Sequence, residues 1–349
     1  MPERTYLDHA ATTPLRPGAK AAMERGFAIW ANPSSPHAEG RKARAALEDA
    51  RERIKLALGL GQKDSGYELI FTSGASEALA IALGRAKVDQ RIVSAVEHDA
   101  VFRAAPDAQV LPVQNGEPDL ATLDDLMHGA GKPIVAVQHL NSETGTWLLP
   151  HADGAVAGKV RRAGGWLLSD CSQSAGKAPL PDADMIVLAA HKFGGPIGIG
   201  ALLVRDLAML EPCGGHERGY RAGTENLPGA LGMAAALENR TWETTADDRA
   251  RFAAQLGDAV MRIGTQADHI FALTHPALSA QALLIRLDAM GFAVSAGSAC
   301  SSGTLKKSRV LDAMGVDDDT ARRTIRVSLG WNTKVEELDR FVEAWRSLA

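Results

Sequence analysis

"DMIVLAAHKFGG", residues 184–195, is the stretch from which the fold is read. From Met185 to Ala190 no polar residue falls on either set of alternate positions, so a strand here buries both of its faces. Such a strand belongs inside a parallel sheet covered by helices on two sides. It then stops at an imidazole and an amine, His191 and Lys192. Two readings of Lys192 are open from this stretch alone. Its ammonium snorkels to the surface from a strand end, or its amine is held at the mouth of the sheet for chemistry.

The flanking sequence repeats the pattern. "YELIF" 67–71, "RIVSAV" 91–96, "PIVAVQH" 133–139, "GWLLSD" 165–170 and "IGALLV" 199–204 read as strands. "HAEGRKARAALEDARERIKLALG" 37–59 and "SEALAIALGRA" 76–86 read as helices. Buried strands separated by helices predict an α/β fold with a mostly parallel sheet covered on both faces. Near residue 240 the texture changes. "TWETTADDRARFAAQLGDAVMRIG" 241–264 reads as one polar-faced helix, and "VEELDRFVEAWRSLA" 335–349 as a closing one. The expected organisation is a large domain of 15–240 and a small one formed by 1–14 and 241–349.

Composition narrows the function classes. With 349 residues, 46% of them hydrophobic, the chain has ample material for a large core. A formal net charge of −4 offers no basic surplus for gripping a phosphodiester backbone, which argues against direct nucleic-acid binding. No apolar run approaches the roughly 18 residues needed to span a bilayer, and "MPERTYLDHAATT" lacks the apolar core of a secretory signal. Three scattered cysteines, Cys171, Cys213 and Cys300, support neither a disulfide framework nor a metal site. A cytoplasmic protein is expected.

Ligands of open α/β sheets bind beyond the carboxyl ends of the strands, so the polar residues ending the apolar runs carry the information. "FTSGASE" 71–77 is a strand, a glycine turn and a helix start. The N–H groups of Ala75 and Ser76 with the Ser76 hydroxyl suit a phosphate; a plain serine-capped helix is the alternative. "VEHDA" 96–100 puts His98 at a second strand end. "GWLLSDCSQSAGK" 165–177 ends its strand at Asp170 and presents Gln173, and "AAHKFGG" adds His191 and Lys192. A phosphate nest, a carboxylate and an amine at one sheet edge match the needs of pyridoxal phosphate (PLP). Its aldehyde takes an amine, its phosphate takes donors, and its ring nitrogen stays protonated beside a carboxylate. Downstream, "VSAGSACSSGTLKKS" 294–308 sets Cys300 in a Ser/Gly-rich stretch without periodicity, where a thiol is placed for reaction rather than packing. "TIRVSLGW" 324–331 reads as an alternating strand whose Arg326 either clamps an α-carboxylate or faces solvent.

With these residues assembled, the chain resembles the cysteine desulfurases of the NifS/IscS type, in the class V aminotransferase group of PLP enzymes. The resemblance rests on "YLDHAATTPLRP" 6–17, "NPSSPHAEGR" 32–41, "FTSGASEA" 71–78, "NSETG" 141–145, "DCSQSAGK" 170–177, "HKFGGPIGIG" 191–200, "GGHERGYRAGTEN" 214–226, "GSACSS" 297–302 and "IRVSLG" 325–330, and it covers nearly the full length. It implies PLP-dependent transferase fold type I, with a seven-stranded, mostly parallel sheet in the large domain. It also implies conversion of L-cysteine to L-alanine, the sulfur passing to Cys300 as a persulfide and then to an acceptor protein. By the same resemblance Lys192 is the Schiff-base lysine, His98 stacks on the ring and moves protons, and Asp170 pairs with the ring nitrogen. Gln173 contacts the ring hydroxyl, and Ala75, Ser76 and His191 hold the phosphate. Thr224 reaches the phosphate of a neighbouring subunit, implying a homodimer with shared sites, and Asn32 and Arg326 hold the substrate carboxylate.

Two positions depart from the family pattern. Ser142 stands where a second asparagine is usual, so the ring-hydroxyl contact falls to a shorter side chain, and Ala189 replaces a serine that donates to the phosphate. Losing such a donor costs about 1–3 kcal/mol where nothing replaces it. Ala349 closes the chain just after its last helix, without the extension by which longer relatives engage an iron–sulfur scaffold. Iron–sulfur assembly, tRNA thiolation, molybdenum-cofactor sulfuration and DNA modification all stay open as destinations of the sulfur. Selenocysteine lyase, another class V activity, and a weakly active PLP-binding partner subunit are the alternatives to the desulfurase.

Overall fold

The computed structural model describes residues 4–60, 66–129, 131–150, 154–296 and 308–348. The chain enters through β1 (Thr5–Tyr6) and helices α1 (Pro17–Phe27) and α2 (Ala38–Ala57). There follow β2 (Glu68–Thr72), α3 (Ala75–Arg85), β3 (Gln90–Ser94), α4 (Asp99–Ala104) and β4 (Gln109–Leu111). A small hairpin, β5 (Val113–Gln114) and β6 (Glu117–Pro118), leads to α5 (Leu120–Met127), β7 (Pro133–Ala136), α6 (Ala155–Arg162) and β8 (Trp166–Asp170). Then come β9 (Met185–Ala189), β10 (Gly200–Val204) and α7 (Leu227–Glu238).

Seven of these strands form one sheet in the order β2-β10-β9-β8-β7-β3-β4. β9, β8, β7, β3 and β4 pair in parallel, while β10 runs against both β9 and β2. Because β10 opposes both of its neighbours, β2 points the same way as β9. Every strand except β10 therefore delivers its carboxyl end to one edge. The apolar runs explain the layering. Ile186 and Leu188 enter one core with Leu47 and Ile54 of α2, and Met185 and Val187 enter a second with Leu79 and Leu83 of α3. The alternation of the strand thus feeds two separate cores, as its doubly apolar sequence requires.

The remaining elements are α8 (Ala246–Leu256), β11 (Ile270–Thr274), α9 (Ala280–Ala289), β12 (Phe292–Ala293), α10 (Arg309–Ala313), α11 (Asp318–Arg322), β13 (Thr324–Ser328) and α12 (Val335–Ser347). β11 pairs antiparallel with β13, and β1 pairs in parallel with β12. A third core gathers Leu7, Phe252, Phe271, Phe292, Phe341 and Trp345. Phe252 meets Phe271, and Phe292 meets Phe341, edge to face at 5.4 Å between centroids.

Two sequence expectations need correction here. The stretch 241–264 is not one helix: a Thr245–Asp248 capping box opens α8, and Gly257, at φ +55°, closes it. β13 is not half-exposed either. All five of its residues are buried, Arg326 included: Ile325 and Val327 enter the third core, while Arg326 meets Asp8 and the Ser142 carbonyl.

Candidate active site

The carboxyl edge of the sheet collects the groups singled out in the sequence. β9 ends at Ala189 and a single helical turn, Ala190–Lys192, swings Lys192 onto the edge. Its Nζ donates to the carbonyls of Ala10 (2.6 Å) and Ala11 (2.8 Å). Burial lowers its pKa to about 8, Arg326 adds to the shift, and the charges of Asp170 and Asp8 oppose it. This amine does not snorkel. It is drawn inward against the N-terminal segment.

Asp170 closes β8, and its Oδ1 accepts from the N–H (2.9 Å) and hydroxyl (2.6 Å) of Ser172. Gln173 donates through Nε2 to the Ala10 carbonyl (2.9 Å), while its Oε1 is buried with no partner among the described residues. His191 lies 3.2 Å from the Thr12 hydroxyl through Nδ1, and burial, with Lys192 beside it, lowers its pKa to about 4. At neutral pH its imidazole is uncharged.

His98 is the N-cap of α4: its Nδ1 accepts the Ala100 N–H at 3.1 Å. With Nδ1 committed as acceptor, the neutral ring carries its proton on Nε2. Burial lowers its pKa; Asp170 opposes that shift and Lys192 reinforces it. Lys192, Asp170 and His98 are therefore close enough to sense one another's charge.

At β2 the chain turns through Ser73 and Gly74 into α3, which starts at Ala75 with Gly74 as a cap that offers no side chain. Ser76 is thus not the cap, and no described residue takes the N–H groups of Ala75 or Ser76. The turn lies on β10 only because Gly200 is bare. A Cβ there would sit 2.7 Å from Gly74 Cα and 2.6 Å from the Leu188 carbonyl oxygen.

Arg326 is buried, at 6% exposure, which removes the solvent-facing alternative. Its Nη2 pairs with Asp8 Oδ1 (2.7 Å), its Nη1 donates to the Ser142 carbonyl (3.0 Å), and its Nε has no partner among the described residues. Asn141 is spent on its own turn, with Oδ1 taking the N–H groups of Glu143 and Thr144 at 2.9 Å each. Ser142 meets the site through its backbone carbonyl. Asn32 is exposed on the loop between α1 and α2, where its side chain accepts the Ser34 N–H. Thr224 is exposed just ahead of α7. Cys300 lies outside the described residues.

Two features escaped the sequence reading. The segment from Asp8 to Thr13 forms a wall of the site, touching Lys192, His191, Gln173 and Arg326. Its signal was the break from the β1 run into "DHAATT", which carries no periodicity. Glu97 is the second: burial holds its carboxyl well above the ordinary range, and its Oε1 accepts the Gln138 N–H at 2.7 Å.

The free groups fit PLP. The uncapped N–H groups of α3 suit its phosphate, the orphaned Gln173 oxygen a ring hydroxyl, and the Asp170 carboxylate a protonated ring nitrogen.

Known proteins give the same picture. A family model described as "Aminotransferase class-V" matches residues 5–341. The "Putative cysteine desulfurase IscS 1" of Bacillus subtilis is 33% identical over 371 aligned positions, covering 96% of each chain. Among solved structures, a NifS-like protein of Rickettsia africae superposes with a TM-score of 0.85 at 28% identity, over 99% of both chains. SspA, solved in complex with cysteine, superposes with a TM-score of 0.79 at 28% identity, over 94% of this chain and 99% of that one.

Proposed function

Because this chain belongs to the class-V aminotransferase family, a PLP-dependent group, we propose that it is a cysteine desulfurase that passes the sulfur of L-cysteine to Cys300. The observation that carries the reading is the half-buried amine of Lys192 at the carboxyl edge of the sheet, held by the Ala10 and Ala11 carbonyls and within electrostatic reach of Asp170 and His98. Bound at that edge, PLP supplies an electron sink for the carbon bearing the substrate amine.

The side chains have distinct tasks. The N–H groups of Ala75 and Ser76, the Ser76 hydroxyl and neutral His191 hold the phosphate. Asp170 keeps the ring nitrogen protonated, and Gln173 Oε1 accepts the ring hydroxyl, with Ser142 beside it. Arg326, with Nε and its spare Nη protons, takes the α-carboxylate, and Asn32 completes that subsite. Lys192 tethers the cofactor and, once free, moves the α-proton; His98 exchanges protons through Nε2. The Cys300 thiolate attacks the substrate sulfur, forming the S–S bond as the carbon–sulfur bond breaks. The electron pair stays with the carbon skeleton, which takes a proton and leaves as alanine.

The same reading makes the protein a cytoplasmic homodimer, with Thr224 reaching the partner's phosphate site, and divides the chain into 15–240 and 1–14 with 241–349. Its support is the third apolar core, which joins Leu7 to residues beyond 250, and the exposed side chain of Ile197, whose neighbour Gly198 accepts a hydrogen bond from Asn226, two residues after Thr224. No helix among the described residues is long and apolar enough to cross a membrane. An iron–sulfur scaffold or a thiolation protein receives the sulfur. Purified protein is expected to show the visible absorbance of bound PLP and to form alanine from L-cysteine, and Lys192→Ala to lose both. Alanine formation by Lys192→Ala at the parent rate would refute the assignment, and a faster turnover of selenocysteine would move the protein to the lyase.

A further inference from the structure

The proposed chemistry brings His98 and Cys300 to one substrate although they are far apart in the chain. Arg309 touches the turn that carries His98 at three points. It is the first residue of α10, just beyond the segment 297–307 that contains Cys300. Its Nη2 donates to the Glu97 carbonyl at 2.5 Å, and its Nη1 pairs with Asp99 Oδ1 at 2.9 Å. Its guanidinium carbon lies 3.9 Å from the centroid of the Phe102 ring. Glu97 and Asp99 are the chain neighbours of His98, and Phe102 lies one turn further along α4. The guanidinium brackets His98 with no hydrogen bond to its ring.

A second tie lies one residue earlier. The Ser308 hydroxyl donates to Glu143 Oε2 at 2.6 Å, beside Ser142, whose carbonyl holds Arg326. On the other flank, Ser295 exchanges two backbone hydrogen bonds with Arg326, at 3.2 and 2.6 Å. The residues on both sides of 297–307 are thus fastened to the site. Arg309 suits its place through a planar fork that reaches a carbonyl and a carboxylate while its face lies on a ring, which a lysine ammonium cannot do at once. Its side chain is 43% exposed and that of Asp99 60%, so the ion pair adds little to stability. Its effect is on position.

We propose that Arg309 is a positioning residue for sulfur transfer, holding the chain that leaves the cysteine-bearing segment in fixed relation to the His98 turn. This rests on the reading of His98 as proton carrier and Cys300 as sulfur acceptor. The experiment compares PLP-loaded parent, Arg309→Ala, Arg309→Lys and Asp99→Asn by two readouts. The change in cofactor absorbance on mixing with L-cysteine reports on Lys192, Asp170 and Arg326. The rate at which Cys300 gains a sulfur atom, followed by mass spectrometry, reports on the proposed step.

Arg309→Ala is expected to keep the absorbance change within about twofold of the parent while the sulfur-loading rate falls roughly tenfold. Arg309→Lys recovers part of the loss, and Asp99→Asn combined with Arg309→Ala is no slower than Arg309→Ala alone. An unchanged loading rate, or an equal loss in both readouts, would overturn the proposal; if Arg309→Ala fails to fold, the Lys and Asn variants are held to the same two criteria. A parent that loads no sulfur onto Cys300 brings down the proposed function and this proposal together. A parent and an Arg309→Ala variant that load it equally fast bring down only the positioning role.

Discussion

At the scale of single residues, the environment of each titratable group sets its task. Partial burial, with Arg326 nearby, brings the Lys192 pKa to about 8 from 10.5. The neutral amine is the form that attacks an aldehyde, and its fraction grows as pH rises through the pKa. Cofactor capture by the apoprotein is therefore expected to accelerate with pH and level off above about 8; a rate still climbing toward 10.5 would show that the pocket does not depress the amine. The cysteines separate by the same logic. Burial pushes the Cys171 thiol up to about 12, so it supplies no ready thiolate, while the Cys213 thiol donates to the Tyr220 carbonyl at 3.1 Å. Asp170 and Lys192 were legible in the sequence because each ends an apolar run. The wall from Asp8 to Thr13 was not: Ala10 meets Lys192 across 182 positions, and no local pattern encodes that meeting.

At the scale of elements, the match between sequence and fold follows the length of the apolar runs. β9, with five consecutive buried residues, was readable to within a residue or two. β4 was not, because Gln109–Leu111 is three residues long at the sheet edge and two of them are exposed. The helix expected over 241–264 failed at Gly257, where a positive φ overrides the polar–apolar periodicity on either side. The turn proposed to hold the phosphate depends on another glycine. Gly200→Ala would press a methyl group onto backbone atoms of Gly74 and Leu188, which cannot rotate away. It is expected to destabilise the protein by about 1–3 kcal/mol and to weaken PLP retention, read from thermal unfolding and from dialysis. Unchanged melting and retention would mean that the turn after β2 does not need that close approach.

At the scale of the whole molecule, three of the exposed large apolar side chains lie on segments that meet the start of α7. Phe27, the last residue of α1, and Trp30 just beyond it are 64% and 80% exposed, and Gly26 of the same helix packs on Pro228 at the start of α7. Ile197, at 78%, adjoins Gly198, which Asn226 contacts from just ahead of the same helix. Both contacts lead to the start of α7, close in the chain to Thr224, which is where the proposed homodimer would cover the surface. Replacing Trp30 and Ile197 by aspartate is expected to give a monomer in sedimentation that releases PLP more readily. A dimer that persists, or a monomer that holds PLP as the parent does, would refute shared sites.

These scales converge on one proposed event, the transfer of substrate sulfur to Cys300. The most direct measurement is mass spectrometry of the PLP-loaded protein after brief exposure to L-cysteine labelled in its sulfur. The expected result is one labelled sulfur atom on the peptide containing Cys300, formed in step with alanine and absent in Cys300→Ser. Alanine released with the label on Cys171, on Cys213 or on no residue of the protein would contradict the account.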